Sequence, residues 1–263
     1  MSHISYSELK IWAECPFKHK LIYLDKIKKF QGNEFTAFGT AIHAVCESAV
    51  MPNRRNISEN EELTDEEFFD LVFLKELQSL KGTIEFRSDL VSQMRTQGKS
   101  MIPHILPTLD QNFEDYEVFS VEEKIYEDIP AFEDKPYKFK GFIDLVIKTG
   151  DTYHIIDWKT CSWGWDAKRR SDKLVTYQLT LYKKFFCQKH GIDPSQVETH
   201  FALLKRTAKK DFVEIFRVTS GPKKTENATD LLMKALHFIS KGSKMKNRLS
   251  CDKCEFRKTE HCP

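Results

Sequence analysis

Gly141-Phe142-Ile143-Asp144-Leu145-Val146-Ile147, followed across the turn Thr149-Gly150-Asp151 by Tyr153-His154-Ile155-Ile156-Asp157-Trp158-Lys159, decides how this chain reads. Both stretches are short, rich in β-branched and aromatic residues and bounded by turn residues, so they read as a β-hairpin. Each is apolar enough for a core, yet together they carry Asp144, Asp157 and Lys159. An ionised carboxylate in such a strand is costly unless a cation meets it. Residues two apart on a strand share a face, so Asp157 and Lys159 point the same way. Two carboxylates brought together by one hairpin, with a lysine beside them, describe a divalent-metal site suited to cutting a phosphodiester.

Working outward, the upstream half reads as helical. Ser5 caps a first helix with Glu8 as the return half of a capping box, and Ile4 with Leu9 as a hydrophobic staple. That helix breaks at Cys15-Pro16 and resumes through 17–24. A second helix spans 36–50, with His43 and Glu47 one turn apart; a polar loop covers 53–62. Thr64 and Glu67 cap a third helix over 65–80, and a fourth, over 86–112, is interrupted by Pro103 and Pro107. Strands follow at 116–126, 136–148 and 152–159, then a helix over 171–190 closed by Gly191. Strands at 197–206 and 211–219 and a helix over 222–240 complete the pattern. This order predicts an α/β chain with a mixed sheet flanked by helices.

Composition narrows the partners. The chain has 263 residues, 40% hydrophobic and 30% charged, with a net charge of +2. No apolar run is long enough to cross a membrane, and the first residues lack a signal-peptide pattern, so a cytoplasmic location is expected. Residues 160–263 hold 22 Lys/Arg against 11 Asp/Glu, whereas residues 1–159 hold 19 against 28. A basic C-terminal half suits a polyanion such as DNA, and a solvated lysine-rich surface is its plainer reading. Seven cysteines in this setting read as thiols or metal ligands rather than disulfides. Three of them, Cys251, Cys254 and Cys262, crowd into the last thirteen residues, where little packing would bury them.

The G-x-x-D…D-x-K hairpin, followed by a helix bearing Gln178 and Tyr182, resembles the PD-(D/E)XK nuclease superfamily. It is most similar to the RecB-like branch that includes the iron–sulphur CRISPR adaptation exonucleases. Ser5-Tyr6-Ser7-x-Leu9-x-x-Trp12-x-x-Cys15-Pro16-Phe17-Lys18 is similar to that branch's N-terminal cysteine segment. Phe38-Gly39-Thr40-Ala41-Ile42-His43 looks like its histidine motif, and Cys251-x-x-Cys254…Cys262 like its terminal cysteine cluster. These matches run from residue 5 to residue 262 in the family's order, with no recognisable motif over 51–115. The resemblance implies a single nuclease domain over 1–263 with a restriction-endonuclease-like core: a helical part over 1–115, the catalytic sheet over 116–220, and a C-terminal helix and metal-cluster tail over 221–263.

The resemblance also assigns roles. Asp144 and Asp157 would hold Mg2+ or Mn2+ together with the Trp158 carbonyl and His43, whose imidazole makes Mn2+ welcome. Lys159 would assist at the scissile phosphate. Gln178 and Tyr182, four apart on one helix face, would contact the substrate. Glu123 is a candidate secondary acid, and Thr160 and Ser162 are candidate phosphate donors or simple turn residues. Cys15 would join Cys251, Cys254 and Cys262. Four thiolates suit zinc or a [4Fe–4S] cluster equally, and the family favours the cluster. The wide spacing from Cys254 to Cys262 departs from the branch and leaves His261 or His19 as a substitute ligand around Zn2+. Cys46, Cys161 and Cys187 read as ordinary thiols.

Trp165, Lys168, Arg169 and Arg170 are the candidate nucleic-acid contacts, since rings beside cations suit stacking on unpaired bases. Core packing is the equal alternative for Trp163 and Trp165, a little more so for Trp163 than for Trp165. The expected function is a Mg/Mn-dependent exonuclease acting on DNA ends or single strands. A structure-selective endonuclease of recombination or repair and a non-catalytic nucleic-acid-binding module with a zinc clasp are the alternatives. A helicase or recombination partner and an oligomeric assembly stay open.

Overall fold

In a computed structural model the described residues are 2–27, 32–51, 63–82, 84–129, 136–252 and 254–263. The loop expected over 53–62 lies outside them. The chain runs β1 (Ser2–Ser5), α1 (Tyr6–Glu14), α2 (Pro16–His19), a π-helical turn (Lys20–Leu24), α3 (Glu34–Val50), α4 (Asp65–Ser79), α5 (Ser88–Met101) and α6 (Ile105–Asn112). It continues β2 (Glu117–Asp128), β3 (Tyr137–Thr149), β4 (Thr152–Cys161), α7 (Ala167–Ser171), α8 (Lys173–His190), β5 (Val197–Lys205), β6 (Val213–Arg217) and α9 (Pro222–Ser240).

The strands form a mixed sheet in which β3 is central. β2 runs antiparallel along one edge of β3 for almost its whole length. The other edge is shared: β1 pairs parallel with residues 137–140, and β4 pairs antiparallel with residues 145–149. β5 lies parallel to β4, and β6 antiparallel to β5. Among the described residues, 141–144 of β3 therefore have no strand partner on that edge. The gap falls on the G-x-x-D segment.

Helices cover both faces. One face packs Phe139, Ile143, Val146, Ile155, Phe201 and Leu203 against Leu9, Phe185, Phe186, Leu232 and Leu236 of α1, α8 and α9. The opposite face packs Leu145, Ile147, Ile156, Trp158, Ala202 and Leu204 against Phe38, Ile42, Phe69, Phe73 and Leu109 of α3, α4 and α6. A regular strand would keep residues of one parity on one face. In β3 the odd residues 139 and 143 face the first core while 145 and 147 face the second, so the strand changes face at Asp144.

Local signals explain most element ends. Thr64 and Glu67 form the expected reciprocal capping box, Asn33 caps α3, and Gly191 closes α8 in the left-handed region at φ 66. Three details differ from the sequence reading. At α1 the Ser5 hydroxyl accepts the Glu8 N–H, but the Glu8 carboxylate pairs with His19 at 2.8 Å rather than closing the box. Pro103 falls in a short 3-10 turn, whereas Pro107 sits in the first turn of α6, where its missing N–H has no helical acceptor to lose. The helix read over 171–190 is α8, which starts at Lys173 because the Asp172 carboxylate accepts the Leu174 N–H and caps it; the short α7 before it was not read.

Candidate active site

The end of the β3–β4 ladder at Leu145–Ile156 builds the site. Beyond it the two strands part, while β4 stays paired to β5 as far as Cys161. The Trp158 N–H loses its strand acceptor there, and the Asp144 carboxylate replaces it, with Oδ2 accepting at 2.7 Å. Asp157, 1% exposed, points to the α8 face with Lys159, and the two side chains form an ion pair. Gln178 Nε2 on α8 donates to Asp157 Oδ1 at 2.9 Å and to the Tyr182 hydroxyl at 3.3 Å. His43 arrives from α3, in the opposite helical layer, with Nδ1 3.7 Å from Asp144 Oδ2. Because β3 changes face at Asp144, a helix from each layer reaches one point. His43, Asp144, Asp157, Trp158, Lys159, Gln178 and Tyr182 are thus brought together.

Gly141 has a steric reason to be glycine. A Cβ there would stand 2.7 Å from Cε1 of Tyr182, so α8 could not lie as close to β3. Gly39 does not have that tightness; a Cβ would meet only Thr160 Oγ1 at 3.6 Å.

The electrostatics of the site favour positive charge. Burial and the Asp157 charge push the Asp144 carboxyl well above its ordinary range, with Lys159 and the Trp158 N–H acting against them. Burial works to lower the Lys159 ammonium, but Asp157 and Asp144 outweigh it and hold its pKa above the ordinary value. Burial lowers His43 to about 4, against the pull of the Asp157 charge and the Trp158 carbonyl, so its imidazole is neutral at pH 7. Asp157 Oδ2 is fully buried and meets the Lys159 ammonium. Two carboxylates, a neutral imidazole and an adjacent carbonyl fit a hard or borderline divalent ion.

Glu122 is an acid the sequence reading missed. It lies between Val121, opposite Leu145, and Glu123, opposite Ile143, and so stands across from Asp144 with φ 51. Few residues other than glycine adopt that conformation. Its charge adds to those raising Asp144. Glu123 is held elsewhere, by Lys189 at 2.5 Å and His190 at 2.9 Å at the far end of α8. No pattern in Val121-Glu122-Glu123 marks which acid faces the hairpin.

The tryptophan reading is reversed. Trp165 is 6% exposed and packs on Phe201 and Phe216, so its ring cannot stack on a base; Trp163 is 76% exposed. Arg169 lies over the Trp165 ring at 4.7 Å. Arg170 donates to the Trp165 carbonyl at 2.9 Å and pairs with Glu214 at 2.6 Å, which makes it a brace for the loop. Lys168 is exposed. Thr207 donates to the Ser162 carbonyl through its N–H at 3.0 Å and its hydroxyl at 2.7 Å, a turn role for Ser162.

The four clustered cysteines meet at the chain ends. Cys15, Cys251, Cys254 and Cys262 all line one cavity of about 720 Å3 and are half-buried and free. Residues 14–17 are tied to the tail by Phe17 N–H to the Met245 carbonyl at 3.0 Å and Asn247 Nδ2 to the Glu14 carbonyl at 2.8 Å. His19, which pairs with Glu8, and His261, beside Glu260, do not line the cavity. Cys46 and Cys187 are buried and Cys161 half-buried, as ordinary thiols.

Comparison with known proteins follows the same direction. The model of the PD-(D/E)XK nuclease superfamily matches residues 3–262, and the chain belongs to that superfamily. A solved structure described as a "Putative exonuclease" from Eubacterium rectale shares the fold, with a TM-score of 0.64 at 13% identity over 98% of this chain and 89% of that one. The structure of SSO0001 aligns over 86% of this chain and 96% of that one, at 15% identity and a TM-score of 0.39. No curated protein matches. Among the described residues no helix is long and apolar enough to cross a membrane.

Proposed function

We propose that this nuclease is a Mg2+- or Mn2+-dependent deoxyribonuclease acting at DNA ends or on single strands. The observation that carries the reading is the convergence of His43 from one helical layer with Asp144, Asp157 and Lys159 from the splayed hairpin. His43, Asp144, Asp157 and the Trp158 carbonyl would hold the ion. Bound there, a divalent ion lowers the pKa of a water nucleophile and offsets charge on the phosphate. Gln178 and the Trp158 N–H fix the two carboxylates in orientation before any ligand arrives. Lys159, kept protonated by two carboxylates, supplies a positive charge and a donor against the developing phosphate charge rather than a base.

The basic C-terminal half and the exposed Trp163 support a flexible polyanion with accessible bases. Purified Asp144→Ala, Asp157→Ala and Lys159→Ala should each lose cleavage of labelled linear DNA in Mn2+, by about a hundredfold or more. Full activity in any of them rejects the assignment. Circular single-stranded DNA tests the end requirement: its cleavage would favour the endonuclease.

The cysteine cavity is proposed to carry a [4Fe–4S] cluster with a structural role. Four free thiols around one cavity, Cys15 with Cys251, Cys254 and Cys262, supply the soft donor set such a cluster takes. Anaerobically purified protein should be brown; a colourless sample with one zinc per chain would overturn the cluster.

A further inference from the structure

A second set of ligands lies on the same strand as Asp157 but outside the nuclease site. His154 of β4 and Glu198 of β5 are paired across the two strands, and His200 follows two residues along on the same face. His154 Nδ1 and His200 Nε2 are 3.2 Å apart, and Glu198 Oε2 lies 3.8 Å and 3.7 Å from them. A triangle with those edges has its centre roughly 2.1 Å from each corner, within the zinc–nitrogen and zinc–oxygen bond range of about 2.0–2.2 Å. Three ligand atoms drawn from two strands share one point at bonding distance.

The surroundings are those of a held site. Both imidazoles are buried, with the Phe113 ring 4.8 Å from His154 and 5.1 Å from His200. The second nitrogen of His154, Nε2, bonds Thr149 Oγ1 at 2.7 Å, which orients the ring and leaves Nδ1 facing its partners. Arg217 holds the other Glu198 oxygen at 2.8 Å. Glu198, though neither imidazole, also lines a solvent cleft of about 700 Å3.

We propose that His154, Glu198 and His200 form a second divalent-metal site, selective for a zinc-class ion over magnesium, that pins β4 to β5. Two imidazoles and one carboxylate suit a borderline ion, whereas magnesium prefers an all-oxygen, octahedral shell. The pin sits three residues before Asp157, about 10 Å along the strand. It does not depend on the nuclease reading.

The test is a Co2+ titration of the full chain in excess Mg2+, with Zn2+ as competitor. Wild type should show one equivalent of cobalt with visible bands free of thiolate charge transfer, which separates it from the cysteine cavity. Glu198→Gln and His200→Asn should lose that equivalent, and Thr149→Val should weaken it by about tenfold. Zn2+ should displace the cobalt and raise the wild-type melting temperature more than that of Glu198→Gln. Equal uptake and equal spectra in wild type and Glu198→Gln would overturn the site, as would displacement by Mg2+ alone. Circular dichroism of each variant shows whether it has folded; should His200→Asn fail, Glu198→Gln alone decides.

Discussion

Asp144 does two things that oppose each other. Its carboxylate satisfies the Trp158 N–H, yet its charge is buried beside Asp157 and across from Glu122. A carboxyl whose pKa is raised on folding stabilises the fold at low pH and loses that contribution as pH rises from the unfolded value, near 3.8, through the folded one. In chelator at pH 7, Asp144→Asn should therefore melt above wild type, because the amide still accepts the N–H without the charge. With Mg2+ the order should reverse and cleavage should be lost. A lower melting point for the variant in chelator would contradict this account. Trp158 has a different division of labour: its ring is sealed in the α3–α4 core, and only its main chain faces the site. Trp158→Phe should keep cleavage within about tenfold while losing about 1–3 kcal/mol of stability in urea denaturation. Abolished cleavage in a folded Trp158→Phe would mean that the ring itself acts in the site.

At the scale of elements, α4 and α5 are clasped by Asp70, which takes Arg95 at 2.9 and 2.8 Å through two nitrogens and Lys99 at 2.6 Å. The Arg95 guanidinium, opposed by burial and joined by Lys99, holds Asp70 below the ordinary carboxylate range. The stability it adds is present above pH 3.8 and lost as pH falls through the lower folded value. Asp70→Asn should cost about 1 kcal/mol at pH 7, discounted for the exposed Arg95, and less at pH 3, below the ordinary value. An equal cost at both pH values would show that the charge is not what matters. Such a clasp could not be read from the sequence, because it joins residues 25 apart on two helices with no signal tying one to the other. The hairpin, the Thr64 cap and the Gly191 stop were legible, since each rests on neighbours within a few residues. β1 was not: four residues at a sheet edge carry too little pattern to separate a strand from a helix leader. Trp163 and Trp165 were exchanged because alternation in a loop has no fixed period. Glu122 was hidden by its backbone, whose positive φ no residue pattern announces for glutamate.

For the whole molecule, the two ends of the chain are joined where Cys15 faces Cys251, Cys254 and Cys262. Ligation there would close a loop that contains nearly every element of the fold, so the ion or cluster would add directly to folding free energy. Cys254→Ser should lower the melting temperature of anaerobic protein by several degrees and bleach its colour, while leaving chelator-treated wild type and variant alike. An unchanged melting curve would remove the structural role. The catalytic gap has a related property. Its proposed ligands come from α3 on one side of the sheet, while α8, on the other, holds Asp157 in place. A newly made chain with only one layer docked lacks either the imidazole or the brace. If the site cuts as proposed, cutting is tied to the closed body: neither helical layer alone supplies both the imidazole and the brace.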